Sequence, residues 1–245
     1  MKKIRLFVSE QNLSLEKEIK IQDSDFEYLT KVMRCKIGDE ILVFNGMDGE
    51  FLSKITQIEK KSLILRIAKK TADLVLMANI TLAFAPVKNV RIDFVAQKAT
   101  ELGVAAFQPI LTQHTIVDKI NSERFKANVK EALEQCERND FPKISDAKKL
   151  AKFLDEKSDN KIFILCDESG DGSKASTKLS ALKDQATDKE IVILIGPEGG
   201  FSKEEFAKMR ALKNLFSISL GPRILRADTA MVCALTLVQE FLGDF

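Results

Sequence analysis

LIGPEGGFSKEEF, residues 194–206, begins inside EIVILIG (190–196), an apolar run rich in β-branched residues. A run buried on both faces is the mark of a strand inside a parallel sheet. It breaks at Gly196-Pro197, and Ser202, Lys203, Glu204 and Glu205 then form a capping box, in which the serine oxygen accepts an amide three residues on and Glu205 reaches back. PEGGF therefore links the C-terminal end of a buried strand to a helix N-terminus, the place where open α/β sheets bind ligands. Glycines there allow backbone groups to approach a ligand closely. LGPRILRADTA, 220–230, repeats the arrangement: LFSISLG ends at Gly221, and a helix starts near Asp228 or Thr229. The two loops are either opposite walls of one pocket or simple strand-to-helix turns. Neither matches G-x-x-x-x-G-K-[ST] or G-x-G-x-x-G, so a triphosphate cradle and an ordinary dinucleotide fold are disfavoured. A ligand held by backbone groups in an apolar slot suits them better.

Around this centre the chain alternates strand and helix. NITLAFA is a strand, Arg91 to Leu102 a helix closed by Gly103, AAFQPIL a strand, Ser122 to Arg138 a helix, and KIFILCD another buried strand. DESGDGSKAST, 167–177, reads as a surface loop. Alternation of this kind predicts an α/β domain with helices on both faces of the sheet. The last helix, Ala230 to Leu242, is apolar nearly all round, so it is either a core helix or half core and half subunit interface. Before Ala72 the character differs. IRLFV, EILVF, EFLSKITQI and SLILRIA are short strand-like runs separated by turns such as Asn45-Gly46 and Asp48-Gly49. One helix interrupts them, with a capping box at Ser24 and Glu27 and with Phe26, Leu29, Val32 and Met33 on one face. The expected organisation is a small β-barrel domain over 1–72 and an α/β domain over 73–245.

Composition bounds the function loosely. The 245 residues are 45% apolar and 30% charged, as in a globular protein. No apolar run approaches membrane-spanning length and no leader is apparent, so a soluble cytoplasmic protein without membrane contact is expected. Cys35, Cys136, Cys166 and Cys233 show no C-x-x-C pairing and read as reduced, mostly buried thiols. Residues 1–72 hold 14 Lys/Arg against 11 Asp/Glu, and the remainder 24 against 25. That slight basic excess is either ordinary scatter or a hint of an anionic partner.

QKATELGV (97–104), EALEQCER (131–138), LIGPEGGFSKEE (194–205) and LGPRILRADTA (220–230) together resemble the RsmE-type family of the SPOUT superfamily, the uridine-N3 methyltransferases of bacterial small-subunit ribosomal RNA. The resemblance spans almost the whole chain. It implies an N-terminal PUA-like barrel for RNA, a C-terminal α/β domain with a trefoil knot, a homodimer, and S-adenosylmethionine held by the knotted loops. Carried onto this sequence, the cofactor would meet Leu194, Ile195, Gly196, Pro197, Gly199 and Gly200 from one loop. Leu220, Gly221, Ile224, Leu225, Arg226, Ala227 and Thr229 would meet it from the other. Two departures stand out. The family usually has Glu-Thr-Ala where this chain has Asp228-Thr229-Ala230, and its usual histidine before a V-L-R-like segment is absent, Tyr28 lying ahead of Val32-Met33-Arg34.

Methylation of uridine N3 requires that its proton leave and that charge on the uracil carbonyls be stabilised. Glu198 or Asp228 is the candidate for the proton, Arg226 or Arg223 for the anion, although either arginine also suits a phosphate contact or an interface salt bridge. Asp228 is in addition a candidate helix cap. Arg5, Lys31, Arg34, Lys36 and Arg138 are the candidate RNA contacts. Gln97, Lys98 and Glu101 share one helix face, as do Glu131, Gln135 and Arg138; each set either lines an RNA cleft or braces the sheet. His114 has no metal-ligand spacing and reads as a surface or core histidine, so no metal is expected. The expected partner is small-subunit ribosomal RNA, naked or in the assembled subunit. Two other classes fit less well. A non-catalytic RNA binder would not need both glycine-lined loops, and a pseudouridine synthase should carry a G-R-L-D-like segment.

Overall fold

The alternating runs before Ala72 pair into one five-stranded sheet in the computed structural model, which describes all residues except 1–3, 10–11, 87–88, 118, 157–158 and 168–172. Its strands β1 (Ile4–Phe7), β2 (Glu18–Gln22), β3 (Glu40–Phe44), β4 (Glu50–Ile58) and β5 (Ser62–Ala72) lie in the order β1-β3-β4-β5-β2. Only β1 and β3 run parallel. The long β4–β5 pair carries register shifts between Glu50 and Phe51, Leu52 and Ser53, and Ile55 and Gln57. Each shift bends its strand and raises the twist, so the sheet curls around its own apolar face. Ile19, Ile21, Ile41, Val43, Leu63, Leu65 and Ile67 fill that interior at every second position.

Between β2 and β3 lies α1 (Asp23–Glu27), continued by a π-helical turn over Tyr28–Val32. The capping box expected at Ser24 does not form. Strand β2 runs to Gln22, Asp23 turns in the left-handed region with φ 52°, and the helix has begun before Ser24 can cap it. The expected apolar face is also broken. Leu29 is fully buried, but Val32 and Met33 are exposed, because the i→i+5 bond from the Met33 amide to the Tyr28 carbonyl carries them off the α-helical face.

The compact unit around this sheet comprises Met1–Leu76 together with Leu133–Phe141. Arg5 is the reason for the second segment. Its guanidinium donates to Glu50 Oε2 at 2.7 Å, to the Leu133 carbonyl at 2.7 Å and to the Arg138 carbonyl at 2.9 Å, and it lies over the Phe44 ring. Arg138 is likewise buried and paired with Asp140 at 2.8 Å. Both were expected to reach RNA; both are instead internal braces, since a buried guanidinium needs all its donors matched within the protein.

The second unit, Met77–Ala132 with Pro142–Phe245, is the α/β layer structure. Its elements are β6 (Ile80–Phe84), α2 (Asn89–Glu101), β7 (Ala106–Leu111), α3 (Ser122–Cys136, whose last four residues belong to the first unit), β8 (Lys143–Ile144), β9 (Lys148–Lys149) and α4 (Leu150–Leu154). After them come β10 (Lys161–Cys166), β11 (Ser173–Lys174), α5 (Ala175–Ala186), β12 (Glu190–Ile195), α6 (Lys203–Arg210), β13 (Leu215–Ser219) and α7 (Ala227–Leu242). The sheet order is β11-β13-β10-β12-β6-β7-β8, with β9 beside β7, and every pairing is parallel. At its described ends the stretch expected as a surface loop over 167–177 is built into the fold: Asp167 is buried, Ser173–Lys174 pair with β13, and α5 starts at Ala175. Residues 168–172 of that stretch lie outside the described part.

From β13 the chain returns to the middle of the sheet, where α7 packs on α2, α5 and β12. β13 lies one strand in from the β11 edge, so the chain crosses back over β10 to reach that place. Met231, Ala234, Leu235, Val238 and Gln239 form the buried face of α7. Gln239 is satisfied there, donating to the Leu102 carbonyl at 2.7 Å and accepting the Asp244 amide. Val232, Cys233, Leu237 and Phe241 are only half-buried, and Thr236 and Glu240 are exposed.

Candidate active site

Three neighbouring parallel strands, β13, β10 and β12, end on the same side of the sheet and build one cleft of about 240 Å³ there. The loop after β12 contributes Gly196, Pro197, Glu198, Gly200 and Phe201, and the loop after β13 contributes residues 220–221 and 223–227. Cys166 and Asp167, at the end of β10, form the floor between them. Main-chain and apolar surface from Ile195, Leu220, Ile224 and Leu225 dominates, with Glu198, Arg223 and Arg226 also on its wall. Both loops need glycine for their course: φ is 67° at Gly200 and 113° at Gly221, conformations that β-branched side chains resist.

The capping box expected on α6 is present, with the Glu205 amide donating to Ser202 Oγ and the Ser202 amide to Glu205. Of the expected cofactor residues, Ile195, Gly196, Pro197, Gly200, Leu220, Gly221, Ile224, Leu225, Arg226 and Ala227 line the cleft. Three do not. Leu194 is fully buried in the core with Phe163 and Val192, as the alternation of β12 demands. Gly199 faces His114 instead, and Thr229 sits exposed in the first turn of α7. Glu198 and Arg226 stand on the wall, whereas Asp228 does not line it. The Asp228 side chain accepts the neighbouring Thr229 amide at 2.8 Å, and the N-cap position of α7 is Arg226, with no side-chain cap, so the expected capping role of Asp228 is not realised. Its charge still sits in the first turn, where the helix dipole favours it.

Cys166, Asp167, Phe201 and Phe206 are cleft residues that the sequence reading did not single out. Cys166 and Asp167 end the buried strand KIFILCD, and the rule that ligands bind beyond parallel strand ends was signal enough to find them. Burial, and then the nearby Cys233, push the Cys166 thiol up to about 12, so it stays neutral and is a poor nucleophile at neutral pH. Asp167 Oδ2 is held by Arg210 at 3.1 Å. His114, expected only as a surface or core histidine, also meets this loop: its Nδ1 lies 3.0 Å from the Gly199 carbonyl oxygen and 3.1 Å from that of Gly200. Of the two helix-face sets, Gln97 donates to Asn128 at 3.1 Å and so ties α2 to α3, Lys98 pairs with Glu101 within α2, Arg138 lies beyond the end of α3 and pairs with Asp140, and Glu131 and Gln135 are exposed.

On the barrel unit, Lys31, Arg34 and Lys36 are exposed, as RNA contacts must be. They interleave with exposed Tyr28, Val32, Met33 and Ile37. Arg34 adopts φ 57°, and Leu29 and Cys35 anchor the segment in the barrel core. Among the described residues no helix is long and apolar enough to cross a membrane, and no cluster of three or more His, Cys, Asp or Glu could hold a metal.

Known proteins share this plan. The RNA methyltransferase domain family matches residues 75–239, and the RNA methyltransferase PUA domain family matches residues 21–68. A Rickettsia conorii protein named ribosomal RNA small subunit methyltransferase E is 32% identical, over 98% of this chain and 96% of its own length. One of the same name from Buchnera aphidicola is 33% identical, over 100% of this chain and 96% of its own. Among solved structures, the Neisseria gonorrhoeae ribosomal RNA small subunit methyltransferase E bound to S-adenosyl methionine superposes with TM-score 0.86 at 27% identity, covering 100% of both chains. A Legionella pneumophila protein described as a methyltransferase, in complex with SAM, superposes with TM-score 0.87 at 29% identity, again over 100% of both.

Proposed function

Because the chain belongs to the ribosomal RNA small subunit methyltransferase E family, we propose that it methylates N3 of a uridine in small-subunit ribosomal RNA, using S-adenosylmethionine in the β13–β10–β12 cleft. The observation that carries this is the joining of the two glycine-bearing loops into one apolar, backbone-lined cleft with Glu198 and Arg226 on its wall. The residues fit the cofactor. Ile195, Leu220 and Leu225 suit an adenine ring, the main chain of both loops supplies its hydrogen bonds, and Glu198 on the wall suits hydroxyls and a cationic centre. When bound, the cofactor supplies an electrophilic sulfonium methyl group. Glu198, placed on the wall where Asp228 is not, takes the N3 proton, and Arg226 stabilises the charge that develops on the uracil carbonyls. Backbone contacts would hold the methyl donor in line with the acceptor, which contributes much of the rate.

In this reading residues 1–72 hold the RNA and 73–245 carry the chemistry, in the cytoplasm, on naked RNA or the assembled subunit. The active form is a homodimer packed through the half-buried face of α7. Ile224 lines the cleft while 86% exposed, and a second copy would cover it. Mass mapping of methylated uridine in ribosomal RNA from a strain lacking the protein tests the target; an unchanged map would refute it. S-adenosylmethionine at a hundredfold excess over Kd is expected to stabilise the protein by about 2.7 kcal/mol, read as a rise in melting temperature.

The barrel cations separate two kinds of arginine. Arg34→Ala is expected to weaken RNA binding and to lower the slope of log K against log salt by about one, as the loss of a phosphate contact does. Cofactor affinity should stay unchanged. Arg5→Ala should instead destabilise the barrel by about 3 kcal/mol, since it takes the charged partner from the largely buried Glu50 carboxylate, leaving it the Thr71 hydroxyl, and the guanidinium donors from two carbonyls. Denaturant titration beside binding at several salt concentrations distinguishes the two. An Arg34→Ala variant with an unaltered salt slope would remove it from the RNA contacts.

A further inference from the structure

The loop that follows β7 is fastened to the cofactor loop at two points. The Gln113 amide donates to Glu205 Oε1 at 2.8 Å, engaging the same carboxylate that closes the α6 capping box through its other oxygen. One residue on, His114 Nδ1 lies between the carbonyl oxygens of Gly199 and Gly200, at 3.0 and 3.1 Å. Two carbonyls can only accept, so Nδ1 carries a proton whether the ring is neutral or charged, and in the neutral ring Nε2 is the free acceptor. Thr112 and Thr115 close the β7 loop on itself, through a bond from the Thr112 amide to Thr115 Oγ1 at 2.8 Å. The loop thus presents His114 as a fixed donor.

The turn it grips is tight. The Gly200 amide donates to the Pro197 carbonyl at 2.9 Å, and Gly200 sits at φ 67°. In planar trans peptides each N–H points opposite to the carbonyl of the same unit, and the described chain has no cis bond. Turning the Gly200 carbonyl toward His114 therefore turns the Phe201 amide away from it. The glycine-rich turn would otherwise be free to flip these peptide units, since glycine populates both halves of φ space.

We infer that His114 is a positioning residue for the cofactor: its Nδ1–H latches the Gly199 and Gly200 carbonyls and so fixes the Pro197–Phe201 backbone in its ligand-binding conformation. This rests on the reading of the cleft as the S-adenosylmethionine site. His114 does not line the cleft and acts through the turn alone. The latch accounts for the fit at Gly199 as well, where a Cβ would come 3.3 Å from the Cβ of His114.

The test compares three variants of the full chain, His114→Ala, His114→Asn and His114→Gln. The asparagine amide nitrogen stands as far along the side chain as Nδ1, and that of glutamine stands one bond farther. Losing one hydrogen-bond donor corresponds to about three- to tenfold in affinity. His114→Ala and His114→Gln should therefore raise the calorimetric Kd for S-adenosylmethionine and its KM by that factor, with the KM for RNA unchanged, and His114→Asn should restore both. Hydrogen exchange of the 196–202 segment without cofactor should speed up in the alanine variant and slow again in the asparagine one. Alanine at wild-type affinity and wild-type exchange would overturn the proposal, as would a change confined to the KM for RNA. Asparagine no better than alanine would also overturn it. If the wild-type protein bound no S-adenosylmethionine, the reading of the cleft would fail, and the exchange measurement would still decide the latch.

Discussion

Gly200→Val is expected to lower the affinity for S-adenosylmethionine by about ten- to a hundredfold, with the barrel unaffected. Gly200 lines the cleft and holds φ at 67°. A β-branched residue in that region costs on the order of 1–3 kcal/mol, and each 1.4 kcal/mol is about a factor of ten. The strain is relieved if the turn relaxes, and relaxation moves the Pro197–Phe201 backbone that faces the ligand. Gly200→Asn separates the two contributions, because asparagine tolerates the left-handed conformation while still adding a side chain at the wall. Isothermal calorimetry with cofactor and with its demethylated product reads both variants. Valine at wild-type affinity would remove this loop from the binding site. Leu194→Ala is the contrasting case: Leu194 is wholly in the core, so its truncation should cost stability, about 2–5 kcal/mol, and leave the wall intact.

The second large effect concerns α7. Leu235→Glu and Val238→Glu should unfold the α/β unit rather than merely part a dimer, because both side chains are fully buried within one chain. A carboxylate forced into that position has no partner, and the destabilisation should exceed about 4 kcal/mol. Leu237→Glu and Phe241→Glu, on the half-buried face, should keep the fold and lose the dimer together with methylation. Circular dichroism, light scattering and a methylation assay on the same samples distinguish these outcomes. A folded, monomeric Leu237→Glu protein with full activity would sever dimerisation from catalysis. A folded Leu235→Glu protein would mean that the helix face is misassigned.

Much of this molecule is written in local pattern. The apolar runs at 161–166 and 190–195 dictate buried parallel strands, Ser202 and Glu205 dictate where α6 starts, and Gly200 and Gly221 mark the two turns that require a left-handed residue. These signals are legible because each depends on neighbours within one turn or one strand. Local pattern also misleads where a longer-range demand overrides it. Ser24 and Glu27 spell a capping box, yet the extent of β2 and the turn at Asp23 start the helix earlier.

What depended on tertiary structure is of a different kind. The placing of β10 between β12 and β13 brings Asp167 to the floor of the cleft, although it lies 29 and 53 residues before the starts of the two loops, at Gly196 and Leu220. The buried Arg5 looks in sequence like any surface cation; only the arrival of the Leu133 and Arg138 carbonyls makes it a brace. His114 carries no motif at all, and its role arises because the loop after β7 lands on the turn after β12. Side-chain periodicity encodes which face of an element is buried, but not what will be packed against it. That is settled by strand order and by the matching of buried donors and acceptors from distant parts of the chain, which exist as neighbours only once the whole sheet has formed.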